Sequence, residues 1–190
     1  MRKYFAAAIL VVATVGVTSP ASATYVVDAK ADSIPSPLDT GLILNPGDLY
    51  NFSVENPSTL WSAGNGPQYQ STANGIPYAA EVAAGFNDNG IPGGWNFDGF
   101  YADFGSLIGY TPTNGYFFIG TGKNLSGLTG DLSLMYWDAY PVGFDGYADN
   151  SGIQTLDVSD LGQVPEPITL SLFGAGLAGA VGMRRKSKPS

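Results

Sequence analysis

Clusters of turn-forming residues divide residues 24–162 into short apolar runs, and this pattern limits the folds open to the chain. Gly, Asn, Asp, Pro and Ser punctuate short runs of aromatic and β-branched residues. No stretch shows the sustained apolar period of 3.6 residues that an amphipathic helix needs. The sequence therefore predicts an all-β domain over residues 24–162, and the spacing of its runs is typical of an antiparallel β-sandwich.

Six segments carry the clearest strand signals: 41–44, 49–54, 106–110, 116–119, 132–137 and 153–158. The first two flank Asn45-Pro46-Gly47-Asp48 and predict a hairpin, because Pro fixes φ and Gly permits a positive φ in such a turn. From Trp61 to Gly99 the chain is irregular, and residues 79–84 predict only a short helical turn.

The N-terminal residues have the composition of a secretory signal peptide. Arg2 and Lys3 form a charged start, residues 5–17 are apolar, and Ala21-Ser22-Ala23 forms a small-residue cleavage site. We therefore expect residues 1–23 to be removed and the remaining body to be exported. Because the chain has no cysteine, the exported fold would depend on its core and not on disulfides.

The C-terminal residues 163–190 fall into three parts. Pro165-Glu166-Pro167 comes first, sixteen mostly apolar or small residues (168–183) follow, and the chain closes with Arg184, Arg185 and Lys186 before the last four residues. A helix over the middle part would be about 24 Å long. That length falls slightly short of a hydrocarbon core of roughly 30 Å, and the basic end would stay on the cytoplasmic side.

This order of parts resembles the PEP-CTERM sorting signal. The resemblance implies an exosortase-type membrane protease that cleaves near Pro165-Glu166-Pro167. It also implies a precursor held transiently in the inner membrane through its C-terminal helix. Arg184, Arg185 and Lys186 would retain that precursor. The body would then reach the cell surface, the extracellular matrix or the medium. A plain C-terminal anchor helix is the alternative.

The charge of residues 24–162 excludes nucleic acid as a partner. Fifteen of the sixteen Asp and Glu residues lie there against only Lys30 and Lys123, so the formal charge is −13. Nucleic-acid binding requires Lys and Arg to neutralise phosphates. Asp98 and Asp103 could form a glycosidase pair, but the chain has no histidine, nucleophile elbow or phosphate loop. The sequence therefore predicts a protein that is not an enzyme.

The segment between the last two predicted strands is rich in oxygen-bearing side chains. It holds Asp138, Asp145, Asp149 and Asn150, with glycines nearby. Carboxylate and amide oxygens in a flexible loop suit a hard cation such as Ca²⁺, which takes six to eight oxygen ligands. The alternative is that these side chains only cap and solvate an exposed turn.

Four pieces of the body, in order, resemble the PA-IL-type galactose-binding lectins, which are β-sandwiches of the galactose-binding jelly-roll class. They are Asn45-Pro46-Gly47-Asp48, Trp61 with Gly66-Pro67, Leu107-Ile108-Gly109 with Phe118-Ile119-Gly120, and Gly130-Asp131-Leu132-Ser133-Leu134 with Asp138 and Asp149-Asn150-Ser151-Gly152. The resemblance implies a jelly-roll fold and one Ca²⁺ that also coordinates two sugar hydroxyls.

Carried over by position, the resemblance assigns five Ca²⁺ ligands. Asp138, Asp149 and Asn150 would use side-chain oxygens, whereas Gly146 and Asn65 would use backbone oxygens. Asp145 could replace Gly146, because the loop before Asp149 is longer than in the family, and Asp28 lies outside the predicted set. The family's sugar-contacting histidine has no counterpart here. The resulting prediction is Ca²⁺-dependent binding of an extracellular polysaccharide. The alternative is a structural matrix protein without a saccharide ligand.

Overall fold

β-Strands make up almost all the regular structure of the residues that this computed structural model describes, which are 22–83, 95–138 and 146–162. The strands are β1 (Ser22–Asp28), β2 (Leu38–Leu44), β3 (Leu49–Val54), β4 (Trp61–Ser62), β5 (Gln70–Ser71), β6 (Asn74–Ile76), β7 (Trp95–Phe97), β8 (Phe100–Ala102), β9 (Phe104–Thr111), β10 (Gly115–Phe118), β11 (Gly122–Ser126), β12 (Gly130–Tyr136) and β13 (Ile153–Asp160). One α-helix, α1 (Tyr78–Ala83), and two 3₁₀ helices (Pro67–Tyr69 and Gly146–Asp149) complete the described part.

Two antiparallel sheets contain most of these strands. The first sheet has the order β1-β13-β3-β11, and the second has the order β10-β9-β12-β2 with β6 beside β9. A shared hydrophobic core takes Phe52 and Leu156 from the first sheet and Leu107, Leu134 and Tyr136 from the second. The predicted all-β sandwich is therefore confirmed.

Alternation along β3 shows how the sequence places this core. Tyr50, Phe52 and Val54 are buried, whereas Asn51 and Ser53 between them are not. Successive side chains of a strand point to opposite faces, so this period of two turns one face inward. Burying a large apolar side chain contributes about 1.5–3 kcal/mol, and in this cysteine-free chain such burial holds the two sheets together.

The prediction of a hairpin over residues 41–54 is wrong in its pairing. Both arms and their turn are present, and Asp48 N donates to Asn45 O at 3.1 Å. However, β2 pairs with β12, while β3 pairs with β11 and β13, so the connection crosses between the sheets. The crossing lets Leu44 and Tyr50 line the same core from opposite sides, whereas a paired hairpin would place both arms in one sheet.

The segment predicted to be irregular, residues 61–99, contains short elements that support the larger sheets. Helix α1 lies one residue before the predicted position, and its buried Glu81 accepts a hydrogen bond from Phe104 N at 2.9 Å. Strands β7 and β8 form a hairpin whose turn residues, Asp98 and Gly99, have φ of 51° and 80°. Two positive φ angles define the type I′ turn that suits a two-residue hairpin loop.

The ends of the described body lie side by side in the first sheet. Ser22 pairs with Ser159 and Ala23 with Val158, so the predicted signal-peptide boundary falls inside β1. Most of the predicted signal peptide (1–21) and the whole tail (163–190) lie outside the described residues. Within the described ranges, no helix is long and apolar enough to span a membrane.

Candidate metal centre

Four segments meet at one end of the sandwich, which we call the site end. They are the residues after β12, residues 149–152, the turn at 62–66, and the turn at 28–33 between β1 and β2. Ser62 and Ser151 exchange two backbone hydrogen bonds of 2.8 Å, and Ala29 N donates to Gly152 O at 3.0 Å. Gly152 permits this approach, because its φ is +97° and a Cβ there would lie 2.8 Å from the Cα of Trp61.

Asp138 and Asn150 form a buried polar pair at the site end. Each is only 3% exposed, and Asn150 Nδ2 donates to Asp138 Oδ2 at 2.9 Å. Asn150 Oδ1 is also buried, and it has no hydrogen-bond partner among the described residues. Leaving a buried acceptor unpaired costs about 1–3 kcal/mol, so such an atom requires a physical reason, for which a bound ion is one candidate.

Asp149 brings a second carboxylate to this pair. Its side chain is exposed, and its Oδ2 lies 3.1 Å from the position that a Cβ would take on Gly64. Burial raises the pKa of Asp138 to about 6, the hydrogen bond from Asn150 opposes this rise, and the charge of Asp149 adds to it. The two carboxylates therefore interact, and a cation between them would offset their repulsion.

The two predicted backbone ligands lie on the neighbouring segments. Gly146 is the first residue of the 3₁₀ helix that ends at Asp149, and Asn65 is exposed and directly follows the buried Gly64. Asp145, the predicted substitute for Gly146, lies outside the described residues. The structure thus brings the carboxylates of Asp138 and Asp149, the Asn150 amide and the segment with Asn65 to one end.

The candidate donors at the site end are oxygen atoms, which suit a hard cation. The described ranges contain no group of three or more His, Cys, Asp or Glu side chains that could hold a metal ion. The site end brings together the two carboxylates of Asp138 and Asp149 and the amide oxygen of Asn150. Oxygen donors of this kind, in a flexible arrangement, are those that Ca²⁺ uses.

An aromatic pair supports the site end from the core. Tyr136, two residues before Asp138, packs edge-on against Trp61 with ring centroids 4.5 Å apart. Trp61 Nε1 donates to Gly105 O at 2.8 Å and to Thr72 O at 3.2 Å, which fixes the indole. Burial raises the pKa of Tyr136 well above its usual value, and the charges of Asp138 and Asp149 add to this effect. Tyr136 is therefore neutral at physiological pH.

The turn at residues 28–33 was missed as part of the site by sequence reasoning. Asn150 Nδ2 lies 3.2 Å from Ala29 O and 3.3 Å from Ser33 Oγ. Asp28 caps the same turn, because its Oδ1 accepts from Lys30 N at 2.8 Å and from Ala31 N at 3.0 Å. Asp28 was predicted to lie outside the ligand set, and the structure places it in the turn that contacts Asn150. No sequence signal could have found these contacts, which join residues 117 and 121 positions apart.

The aromatic residues near position 100 mostly pack against protein. Phe100 and Tyr116 contact Trp137 on the outer face of the second sheet, with ring centroids 5.3 Å and 5.4 Å from it. Phe104 is buried in the main core. Phe97 and Tyr101 have the most exposed described side chains of the group, at 36% and 47%.

Comparison with known proteins identifies the type of tail first. Residues 163–186 match the family model of the PEP-CTERM protein-sorting motif. This match confirms the resemblance drawn from Pro165-Glu166-Pro167, the apolar run and the basic end. Such a tail marks a protein that is exported and processed by exosortase. The match covers the tail only.

The body is similar to a solved lectin domain. It is the N-terminal domain of EclA, a PllA-like lectin, which is 20% identical in sequence. The alignment covers 72% of this chain and 94% of that chain, with a TM-score of 0.48. No curated protein matches the chain.

Proposed function

We propose that this exported, exosortase-processed protein binds Ca²⁺ at the site end and, through that ion, a neutral saccharide. The observation that carries the proposal is the buried Asp138–Asn150 pair: its amide oxygen has no partner in the described part of the chain, and its carboxylate interacts with the charge of Asp149. A site that only solvated a turn would have exposed side chains, whereas Asp138 and Asn150 are buried.

The donor count supports a cation that retains open coordination positions. Asp138, Asp149, Asn150, Gly146 and Asn65 would give five protein oxygens, and Ca²⁺ takes six to eight. When bound, the ion would supply positive charge and places for two sugar hydroxyls. Asp149 and Asn65 are exposed, so a saccharide could reach this side of the site from solvent.

The strand order supports a jelly-roll body. Successive long strands alternate between the sheets, except that β9 and β10 pair within the second sheet. The orders β1-β13-β3-β11 and β2-β12-β9-β10 are those of eight strands wound as two Greek keys. A fold alone does not assign a function, so the saccharide proposal depends on the site and not on the winding.

Thermal melting of the mature protein in Ca²⁺ and in chelator tests whether the folded protein binds the cation. A ligand that binds only the folded state stabilises it by RT ln(1 + [L]/Kd), about 2.7 kcal/mol at a hundredfold excess over Kd. Asp149→Ala should abolish this gain, whereas Asp131→Asn, an exposed change at the far end of β12, should preserve it. Equal melting temperatures in both buffers would refute the site and leave a structural matrix protein as the interpretation.

A glycan array separates the two parts of the proposal. Binding that needs Ca²⁺ and disappears in Asp149→Ala supports a lectin. A Ca²⁺-dependent rise in melting temperature without any glycan response would reject the saccharide and keep the ion as a structural element.

The proposed processing has its own test. Cleavage after Ala23 and near Pro165-Glu166-Pro167 would leave a chain from Thr24 to about Val164. Mass spectrometry of secreted material from exosortase-positive cells should therefore find these ends. Material that still contains Lys188 would contradict the processing.

A further inference from the structure

The side-chain amide of Asn150 is held in one orientation. Its Nδ2 faces three acceptors: Ala29 O at 3.2 Å, Ser33 Oγ at 3.3 Å and Asp138 Oδ2 at 2.9 Å. A flipped amide would place Oδ1 against the carbonyl of Ala29 and the carboxylate of Asp138, and neither can donate a hydrogen bond when Asp138 is ionised. The network therefore assigns Nδ2 to this side and leaves Oδ1 unpaired within the described part of the chain.

Two of these acceptors, Ala29 O and Ser33 Oγ, belong to a turn that has hydrogen bonds of its own. Asp28 N donates to Asp32 Oδ2 at 2.7 Å, and Ser33 Oγ donates to Ala29 O at 2.7 Å. The turn is also fixed to the strands around it, because Tyr136 N donates to Asp32 O at 2.8 Å. Ser33 Oγ thus accepts a hydrogen bond from Asn150 and donates one within the turn.

We propose that this turn, residues 28–33, is a positioning element that sets the Ca²⁺ affinity of the site. It holds Nδ2 of Asn150, so the amide oxygen is pre-oriented as a ligand before the ion arrives. The same amide donates a hydrogen bond to Oδ2 of Asp138, so the other carboxylate oxygen of Asp138 is the one that would bind the cation. Ala29 and Ser33 act through Asn150 and do not themselves bind the ion. This inference rests on the proposed Ca²⁺ site.

The variant Asn150→Asp distinguishes a role of the turn in orienting the ligand from a simple effect of the ligand's charge on Ca²⁺ affinity. Counting charges alone predicts tighter Ca²⁺ binding, because the change adds a negative charge to the ligand set. Positioning predicts weaker binding, because the second carboxylate oxygen would face Ala29 O and Asp138 Oδ2, two acceptors. We expect calorimetric titration of the mature protein with Ca²⁺ at pH 7 to show affinity about tenfold lower or more. Asn124→Asp is the control, because it adds the same charge at an exposed position on β11 and keeps the oxygen that accepts from Asn51.

Ser33→Ala tests the turn without burying a charge, so it remains informative if Asn150→Asp does not fold. The variant loses the bond that Ser33 Oγ accepts from Asn150 and the bond that it donates to Ala29 O, so the Ca²⁺ affinity should fall about three- to tenfold. In metal-free protein, the Asn150 side-chain amide protons should also exchange faster with solvent, as measured by NMR. Thr111→Val, which removes a buried hydroxyl near the opposite end of the second sheet, should change neither quantity.

The outcomes distinguish the two proposals. If wild type binds Ca²⁺ and Asn150→Asp binds it equally or more tightly, the positioning role is overturned while the Ca²⁺ site stands. An unchanged affinity in Ser33→Ala also overturns the positioning role. If wild type binds no Ca²⁺, the proposed function fails and the inference fails with it. Lower affinity in both variants, with both controls unchanged, supports the positioning role.

Discussion

Asp138→Asn should stabilise the metal-free protein at neutral pH by up to about 3 kcal/mol. Burial, reinforced by the charge of Asp149, raises the pKa of Asp138 from 3.8 to about 6, and this value already includes the opposing hydrogen bond from Asn150. Each pKa unit corresponds to about 1.4 kcal/mol of difference between the two protonation states. The ionised carboxylate therefore destabilises the empty site, and asparagine removes the charge at nearly the same size.

The sign of the pH dependence follows from the raised pKa. Between about pH 4 and pH 6 the folded protein binds a proton at Asp138 more tightly than the unfolded chain does, so stability falls as pH rises through this window. Below it, both states are protonated and the penalty disappears. The difference between wild type and Asp138→Asn should thus be small at pH 4 and reach its full size near pH 7.

Urea unfolding in chelator at a series of pH values measures this difference. Asp131→Asn, on the same strand but exposed, is the control and should change stability little at any pH. In excess Ca²⁺ the order should reverse, because Asp138→Asn loses a proposed ligand. A difference that is equal at pH 4 and pH 7 in chelator, or a variant less stable than wild type at pH 7, would refute the reasoning.

Two further predictions concern the support of the site end. Gly152→Ala should destabilise the fold by about 2 kcal/mol or more, because it combines a φ of +97° with a contact 2.8 Å from Trp61 Cα. Gly99→Ala has a similar φ but open space around it, so urea unfolding should show a smaller loss, and equal losses would contradict the steric argument. Trp61→Phe should cost about 2–4 kcal/mol, because it removes the donor to Gly105 O and Thr72 O and leaves a cavity. A loss below about 0.5 kcal/mol in the same assay would show that the indole does not anchor the site end.

Strand positions were predictable because alternation is a local property. Tyr50, Phe52 and Val54 identify a half-buried strand without any knowledge of its neighbours. The choice of partners is not local, which is why β2 and β3 were predicted to pair with each other. Strand β1 was not predicted at all, and its first residues, Ser22 and Ala23, were assigned to a signal-peptidase site instead.

The same distinction between local and non-local information applies to the candidate site. Asp138, Asp149 and Asn150 lie close in sequence, so their oxygens could be grouped before the fold was known. Ala29 and Ser33 carry no signal of their own, since their contact with Asn150 depends on how β1 and β13 pair. The oxygen chemistry was therefore predictable, whereas the elements that orient it were not.

Strand β13 connects the site end to the start of the sorting tail, and this path has a mechanical consequence. It begins just after Gly152 and ends at Asp160, and it lies between β1, with seven paired residues, and β3, with five. The bonds of antiparallel strands run perpendicular to the strand axis. A pull between a ligand at the site end and the C-terminal tail would load β13 lengthwise, in shear. Many hydrogen bonds would then have to break together and not one after another, so β13 is placed to carry tension.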